Sequence, residues 1–222
     1  MYSVKEATYS NWKIFFKKCQ KTNILQSWEY GVAKERCSRW KAVRFLILND
    51  KKETVGLIQA LVISVPFLGG IVRVNRGPIL LDNNSISESN VEVFDMISAV
   101  LKEFQRNHWW IVQIAPNVNK TDFGVLRLKG FGLTKLKLSS YASGLINLSE
   151  EESSLLSSLK KKWRYYLKQG QKISFKIDSS QSDSGQIELL LNKYKKLQED
   201  KEFSGLSNSL ISELARQSSE EW

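Results

Sequence analysis

The segment Glu53–Val65, ETVGLIQALVISV, is too continuously apolar to be an edge strand. A strand of that kind is covered on both faces, so it belongs in the middle of a sheet with helices to either side. Its neighbours extend the constraint. Ala42–Asn49 (AVRFLILN) reads as a strand, and Asn49–Lys52 (NDKK) as the turn that leads into the apolar run. Gly69 and Gly70 break that run, and Ile71–Asn75 (IVRVN) continues as a further strand with an Arg-Gly-Pro turn, residues 76–78, at its exit. That turn matches no nucleophile elbow, phosphate loop or metal box.

Helices surround these strands. Trp12, Phe15, Phe16 and Cys19 recur at helical spacing, and a second helix starts near Gln26 or Ser27. Val91, Phe94, Ile97, Val100, Leu101 and Phe104 hold one face of a helix expected from about Ser87 to Asn107. Trp109–Ala115 follows as a strand closed by Pro116, and 121–129 as a short helix stopped by Gly130 and Gly132. Lys135–Leu148 alternates like a long strand. The order predicts an α/β (α+β) unit with a mixed sheet, closing near residue 148. Beyond it the pattern gives a helix over 155–170 capped by Ser149–Glu152, a strand over 172–178, a loop over 179–185, and helices over 187–202 and 207–216. One strand with three helices has no sheet of its own to complete. Either it joins the first sheet, or a domain is incomplete.

Composition narrows the chemistry. The chain has 222 residues, enough for one large domain or two small ones, and a net charge of +10. Such a charge suits an anionic partner: RNA, a nucleotide sugar, a lipid pyrophosphate or a membrane face. It equally suits a merely soluble surface. Cys19 and Cys37 are too few and too far apart for a zinc site, and they read as reduced thiols. No metal site is expected. The first residues lack the apolar core of a signal peptide, and no run nears the ~18 apolar residues of a membrane span. The expected location is cytoplasmic, with peripheral membrane contact left open. His108 is the single histidine, so triad or dyad chemistry would have to run through it. At a helix end it reads better as a cap.

Lys160, Arg164 and Lys168 recur at i, i+4 and i+8, with Trp163, Tyr165 and Tyr166 among them. Three cations so spaced repel one another. The stripe is tolerable on a solvated face and useful against phosphates. The spacing leaves both readings open.

Three segments, taken in order, resemble a known family. The first is Leu25–Lys34 (LQSWEYGVAK) with Trp40–Arg44 (WKAVR), and the second is Gly69–Pro78 (GGIVRVNRGP). The third is Leu159–Lys172 (LKKKWRYYLKQGQK), followed by Leu190–Gln198 (LLNKYKKLQ) and Phe203–Gly205 (FSG). The set resembles the FemABX family, aminoacyl-tRNA-dependent transferases that build the interpeptide bridge of peptidoglycan, and the broader FemAB-like proteins. The resemblance implies tandem acetyltransferase-like (GNAT) subdomains, here 1–148 and 149–222, with the second incomplete. It implies transfer of an amino acid from its tRNA ester to an amine of a muropeptide or other diphosphate-linked acceptor. The donor would be a co-substrate, aminoacyl-tRNA or in some relatives acyl-coenzyme A, with no resident cofactor. By position Lys34 and Arg164 match residues implicated in holding the acceptor's diphosphate. Arg76 is expected to play a structural or groove-lining role, and Lys160 and Lys168 to add substrate-binding charge. No catalytic residue is assigned, because aminolysis of an activated ester needs positioning and oxyanion stabilisation more than a nucleophile. A different class also fits the stripe: a non-catalytic module for RNA or another anionic ligand.

Overall fold

The apolar run does lie inside a sheet. In the computed structural model, which describes residues 1–19, 21–81, 91–116, 118, 122–136, 146–174 and 184–218, the strands are β1 (Ser3–Glu6), β2 (Lys41–Leu48), β3 (Thr54–Val65), β4 (Gly69–Asn75), β5 (Ile79–Leu80) and β6 (Trp109–Ala115). They form one mixed sheet in the order β1-β2-β3-β4-β6, with β5 paired to β3. The β1–β2, β2–β3, β3–β4 and β3–β5 pairs are antiparallel, and β4–β6 is parallel. The parallel pair needs a crossover, which the helix α3 (Val91–Arg106) supplies. β1 was not anticipated. Four residues with two half-buried positions carry too short an alternation to be read.

Each face of the sheet has its own core, as the two-residue period of a strand demands. Phe45, Ile47, Ile58, Ala60, Val62, Val72 and Val74 pack against the stripe Val93, Phe94, Ile97, Val100, Leu101 and Phe104 of α3. The opposite face carries Leu46 and Leu57 under Trp12 of α1 (Tyr9–Phe16). It also carries Leu61 under Tyr30 and Ala33 of α2 (Trp28–Cys37). Thus the mixed sheet flanked by helices is as expected, and β3 is buried over residues 56–62 because helices cover both of its faces there.

Packing divides the chain into two compact units, Met1–Lys135 with Gln181–Trp222, and Leu136–Ser180. The first also holds α4 (Asp122–Gly130), α7 (Ser184–Lys201) and α8 (Asn208–Ser218). α8 closes over α2: Leu210 is buried with Tyr30 and Ala33, and Arg36 pairs with Glu213 at 2.6 Å. His108 ends α3 in a left-handed conformation, φ 57°, its amide donating to the Gln105 carbonyl.

The second unit corrects one expectation. In place of one helix over 155–170 there are two, α5 (Glu152–Ser158) and α6 (Lys161–Gln171), with Leu159 and Lys160 extended between them. The serines explain the break. Ser157 and Ser158 turn their hydroxyls back onto the Ser154 and Leu155 carbonyls at 2.8 and 2.7 Å, competing with the backbone donors that would continue the helix. Arg164 then donates to the Ser157 carbonyl at 2.8 Å, satisfying an orphan at the end of α5. The strand expected over 135–148 and that over 172–178 fall largely outside the described residues, as does most of the loop 179–185. Among the described residues no helix is long and apolar enough to cross a membrane.

Candidate functional site

The Arg-Gly-Pro turn is where the sheet opens. β3 meets β4 with Leu61 opposite Arg73, and meets β5 with Leu57 opposite Ile79. Four steps along β3 therefore face six along its partner, so the turn carries two extra residues and the ladder parts beside Gln59. A side chain from elsewhere fills the gap. Gln26, fully buried in the 3-10 turn Ile24–Gln26, accepts from the Gln59 amide at 2.8 Å and donates to the Asn75 and Gln59 carbonyls at 2.8 and 2.9 Å. Its amide stands where the next rung would be, and pairs the Gln59 amide and the Gln59 and Asn75 carbonyls that the parted ladder would otherwise strand. Gly77 is required here because a Cβ would approach Gln26 to 2.9 Å. Arg76 stands at φ 51° with its side chain exposed, while its amide donates to Ala115 and its carbonyl accepts from Asn23 Nδ2.

The network runs on into α2. Gln59 donates to the Leu25 and Ser27 carbonyls at 3.2 and 2.8 Å and accepts from Arg44 Nε at 2.7 Å. Arg44 also donates to the Trp28 carbonyl at 3.0 Å, with its guanidinium 3.8 Å from the Trp28 ring centroid. Ser27, the N-cap of α2, accepts from the Tyr30 amide at 3.1 Å. Gly31 leaves room for the pair, since a Cβ there would strike Arg44 Nη2 and Gln59 Oε1. Burial pulls Arg44 down to about 10, while Glu35 and Glu29 oppose the shift. The folded value lies below the ordinary arginine range, so the cost of burying the cation is carried at every pH below about 10. It is relieved only as pH rises from there towards the ordinary arginine range, and at neutral pH the guanidinium is charged.

Beside this network, α1, the loop after it and the first turn of α2 enclose a cavity of about 310 Å³ lined by Tyr9, Trp12, Lys17, Trp28 and Glu29 among others. A second cavity, of about 380 Å³, shares Phe16, Thr22 and Glu29 with it and adds Asn23, Ile24 and Leu214.

Lys34 lies further along α2, half-buried, and Arg76 in the turn just described, so both belong to the first unit. Lys160, Arg164 and Lys168 belong to the second. Lys160 precedes α6 in an extended conformation, so the cationic stripe on the helix is reduced to Arg164 and Lys168. Arg164 is half-buried, whereas Lys160 and Lys168 are exposed. Reading the sequence missed Gln26, Gln59 and Arg44 as a unit. The signal was there in a weak form: an arginine and a glutamine inside apolar strands, each in the register that faces α2. Among the described residues there is no cluster of three or more His, Cys, Asp or Glu side chains able to hold a metal.

No family model and no curated protein sequence matches the chain. Solved structures do. A crystal structure of FemX superposes with a TM-score of 0.71 at 20% identity, covering 97% of this chain and 54% of that one. The chain has a FemX-like fold. It spans about half the length of that FemX chain. Glucosamine-6-phosphate N-acetyltransferase from Arabidopsis thaliana matches at a TM-score of 0.40 and 5% identity, over 64% of this chain and 98% of its own. An aminoglycoside 6'-N-acetyltransferase from Acinetobacter baumannii matches at 0.36 and 9%, over 66% and 100%. Both are too distant to add to the fold argument.

Proposed function

We propose that the chain is part of a FemAB-like aminoacyltransferase that holds a peptidoglycan precursor and supports transfer of an amino acid onto its amine. The observation that carries this is the FemX-like fold across 97% of the chain, together with the three segments that resemble the family. On this reading residues 1–148 and 149–222 are subdomains, and Lys34 and Arg164 grip the acceptor's diphosphate. A diphosphate calls for two or more cations from separate elements, and arginine can serve two oxygens at once. The Gln26 network fixes the start of the helix that bears Lys34 and ties it to the Arg76 turn. The amine lone pair attacks the ester carbonyl carbon, a tetrahedral oxyanion forms, and the C–O bond to the tRNA ribose breaks. The amine's proton leaves with the ribose oxygen, giving an amide and a free hydroxyl. Aminoacyl-tRNA is the co-substrate, and no resident cofactor enters.

The test is calorimetric titration of the chain with a uridine-diphosphate muropeptide. Saturable binding is expected, weakened about tenfold by either Lys34→Ala or Arg164→Ala with the melting temperature nearly unchanged. Were both variants to bind the muropeptide normally while RNA binding fell with Lys160, Arg164 and Lys168, the chain would be an anion-binding module instead. Such binding would depend steeply on salt and little on sequence.

A further inference from the structure

We propose that the turn joining β3 to β4, with Trp110 beside it, inserts into the surface of an anionic lipid membrane. The proposal stands on this surface and does not depend on the transferase reading. Every residue from 64 to 68 is exposed, and Val65, Phe67 and Leu68 among them are apolar. Phe67 is 107% exposed, as open to water as in an extended chain, and Leu68 is 78% exposed. The tip is nonetheless a defined turn, closed by the Leu68 amide on the Val65 carbonyl at 3.1 Å. It holds Phe67 at φ 64°, a left-handed backbone that a bulky apolar residue rarely adopts. Trp110 widens the patch. The pairing of β4 with β6 passes from Gly70–Trp109 to Ile71–Ile111, so Trp110 is the extra residue of a bulge, and it is 63% exposed. Its ring lies against Gly69, where a Cβ would strike it, and it lines one cleft with Val65 and Phe67. Apolar side chains scattered singly over a surface are ordinary, but a contiguous group at the apex of a hairpin marks a contact.

Charge selects the occupant. β2 begins and α3 ends at this end of the sheet, since Lys41 pairs with Val62 and Trp109, just after α3, with Gly70. They bring the exposed cations Arg39, Lys41, Lys102 and Arg106. Against these stand Glu103, paired with Arg106 at 3.2 Å, and Glu35, which accepts from the Ala42 amide. Lys41 is level with Val62, so the strand reaches Val65 about 10 Å further on. An apolar tip standing that far ahead of a cationic collar matches the 5–10 Å or so to which peripheral elements enter the boundary between headgroups and acyl chains. The collar is then left among the anionic headgroups. An indole favours the same layer, with its ring in the apolar part and its N–H in the wet part. A fluid surface also closes around a convex tip without needing a matching socket.

The experiment sediments the full chain with vesicles of phosphatidylcholine containing phosphatidylglycerol, and with vesicles of phosphatidylcholine alone. Saturable binding to the first and weaker binding to the second are expected. The double variant Phe67→Ser/Leu68→Ser keeps the net charge, and should bind the anionic vesicles about tenfold more weakly with its melting temperature unchanged. Lys41→Gln should lower that affinity about fivefold, with little effect on neutral vesicles. Anionic vesicles brominated on their acyl chains should quench the fluorescence of Trp110→Phe less than that of the unaltered chain, and this carries the test if the double variant does not fold. The proposal is overturned if the folded double variant binds anionic vesicles unchanged, since charge alone would then explain binding. It is overturned equally if neither vesicle binds the chain, or if Trp110→Phe leaves the quenching as it was. It also falls if the double variant instead splits a dimer of the chain that binds no vesicle, since the patch would then belong to a second copy.

Discussion

Arg44 and Arg164 perform the same elementary act in very different surroundings. Each donates to a backbone carbonyl at a helix end: Arg44 to Trp28 at the start of α2, Arg164 to Ser157 at the end of α5. Arg44 does so 8% exposed, sandwiched against an indole and bonded to a buried glutamine. Arg164 does so in a unit whose helices α5 and α6 bury none of their residues. Burial decides what each is worth. Water can replace the partner of an exposed arginine, but nothing replaces the partners of a buried one. The first arginine therefore builds the fold, and the second contributes little to it.

The comparison is broken most forcefully at its buried end. Gln59→Leu removes the acceptor for Arg44 and the donors to the Leu25 and Ser27 carbonyls, so it should cost about 3 kcal/mol or more. In a chain this long that is a fall of about 6–12 °C in melting temperature, readable by calorimetry. A loss under about 1 kcal/mol would mean the network is not what holds α2 to the sheet. Leu210→Ala tests the lid over α2 and should cost about 2–4 kcal/mol in the same measurement. Gly31→Ala comes next. Its methyl group meets Arg44 and Gln59 side chains already pinned by their own bonds, so denaturant unfolding should show a loss of about 1–3 kcal/mol.

These residues also mark the limit of what could be read in advance. The sheet and its covering helices were legible because hydrophobic burial writes itself in a period, as in the α3 stripe and the two-faced β3. The break between α5 and α6 was not, because Leu155–Gly170 keeps its amphipathic pattern straight through the serines that end the first helix. Gln26 was invisible for a different reason. Its role depends on a two-residue excess across the β3–β5 pairing, 33 residues away in sequence from Gln59, and no local window contains that. Of the candidate binding residues, the chain pattern could suggest cations. It could not distinguish a lysine on a helix, such as Lys168, from one just outside it, such as Lys160.

At the less buried end of the comparison, Arg164→Ala should change stability by less than about 1 kcal/mol, since water takes over the Ser157 carbonyl. That near-silence is what makes the variant useful. A large fall in muropeptide affinity at constant melting temperature would assign Arg164 to the ligand, and only a residue outside the core can give that pattern. Arg36→Ala supplies the control. It too removes a surface arginine, from a pair with Glu213, and should cost about 0.5 kcal/mol. Arg36 lies two residues beyond Lys34 on the same helix, but its guanidinium is engaged by Glu213, so its removal should weaken muropeptide affinity less than the removal of Arg164. If Arg36→Ala and Arg164→Ala weakened binding equally, net charge would be the cause. The contrast between a scaffold arginine and a ligand arginine would then lose its second half.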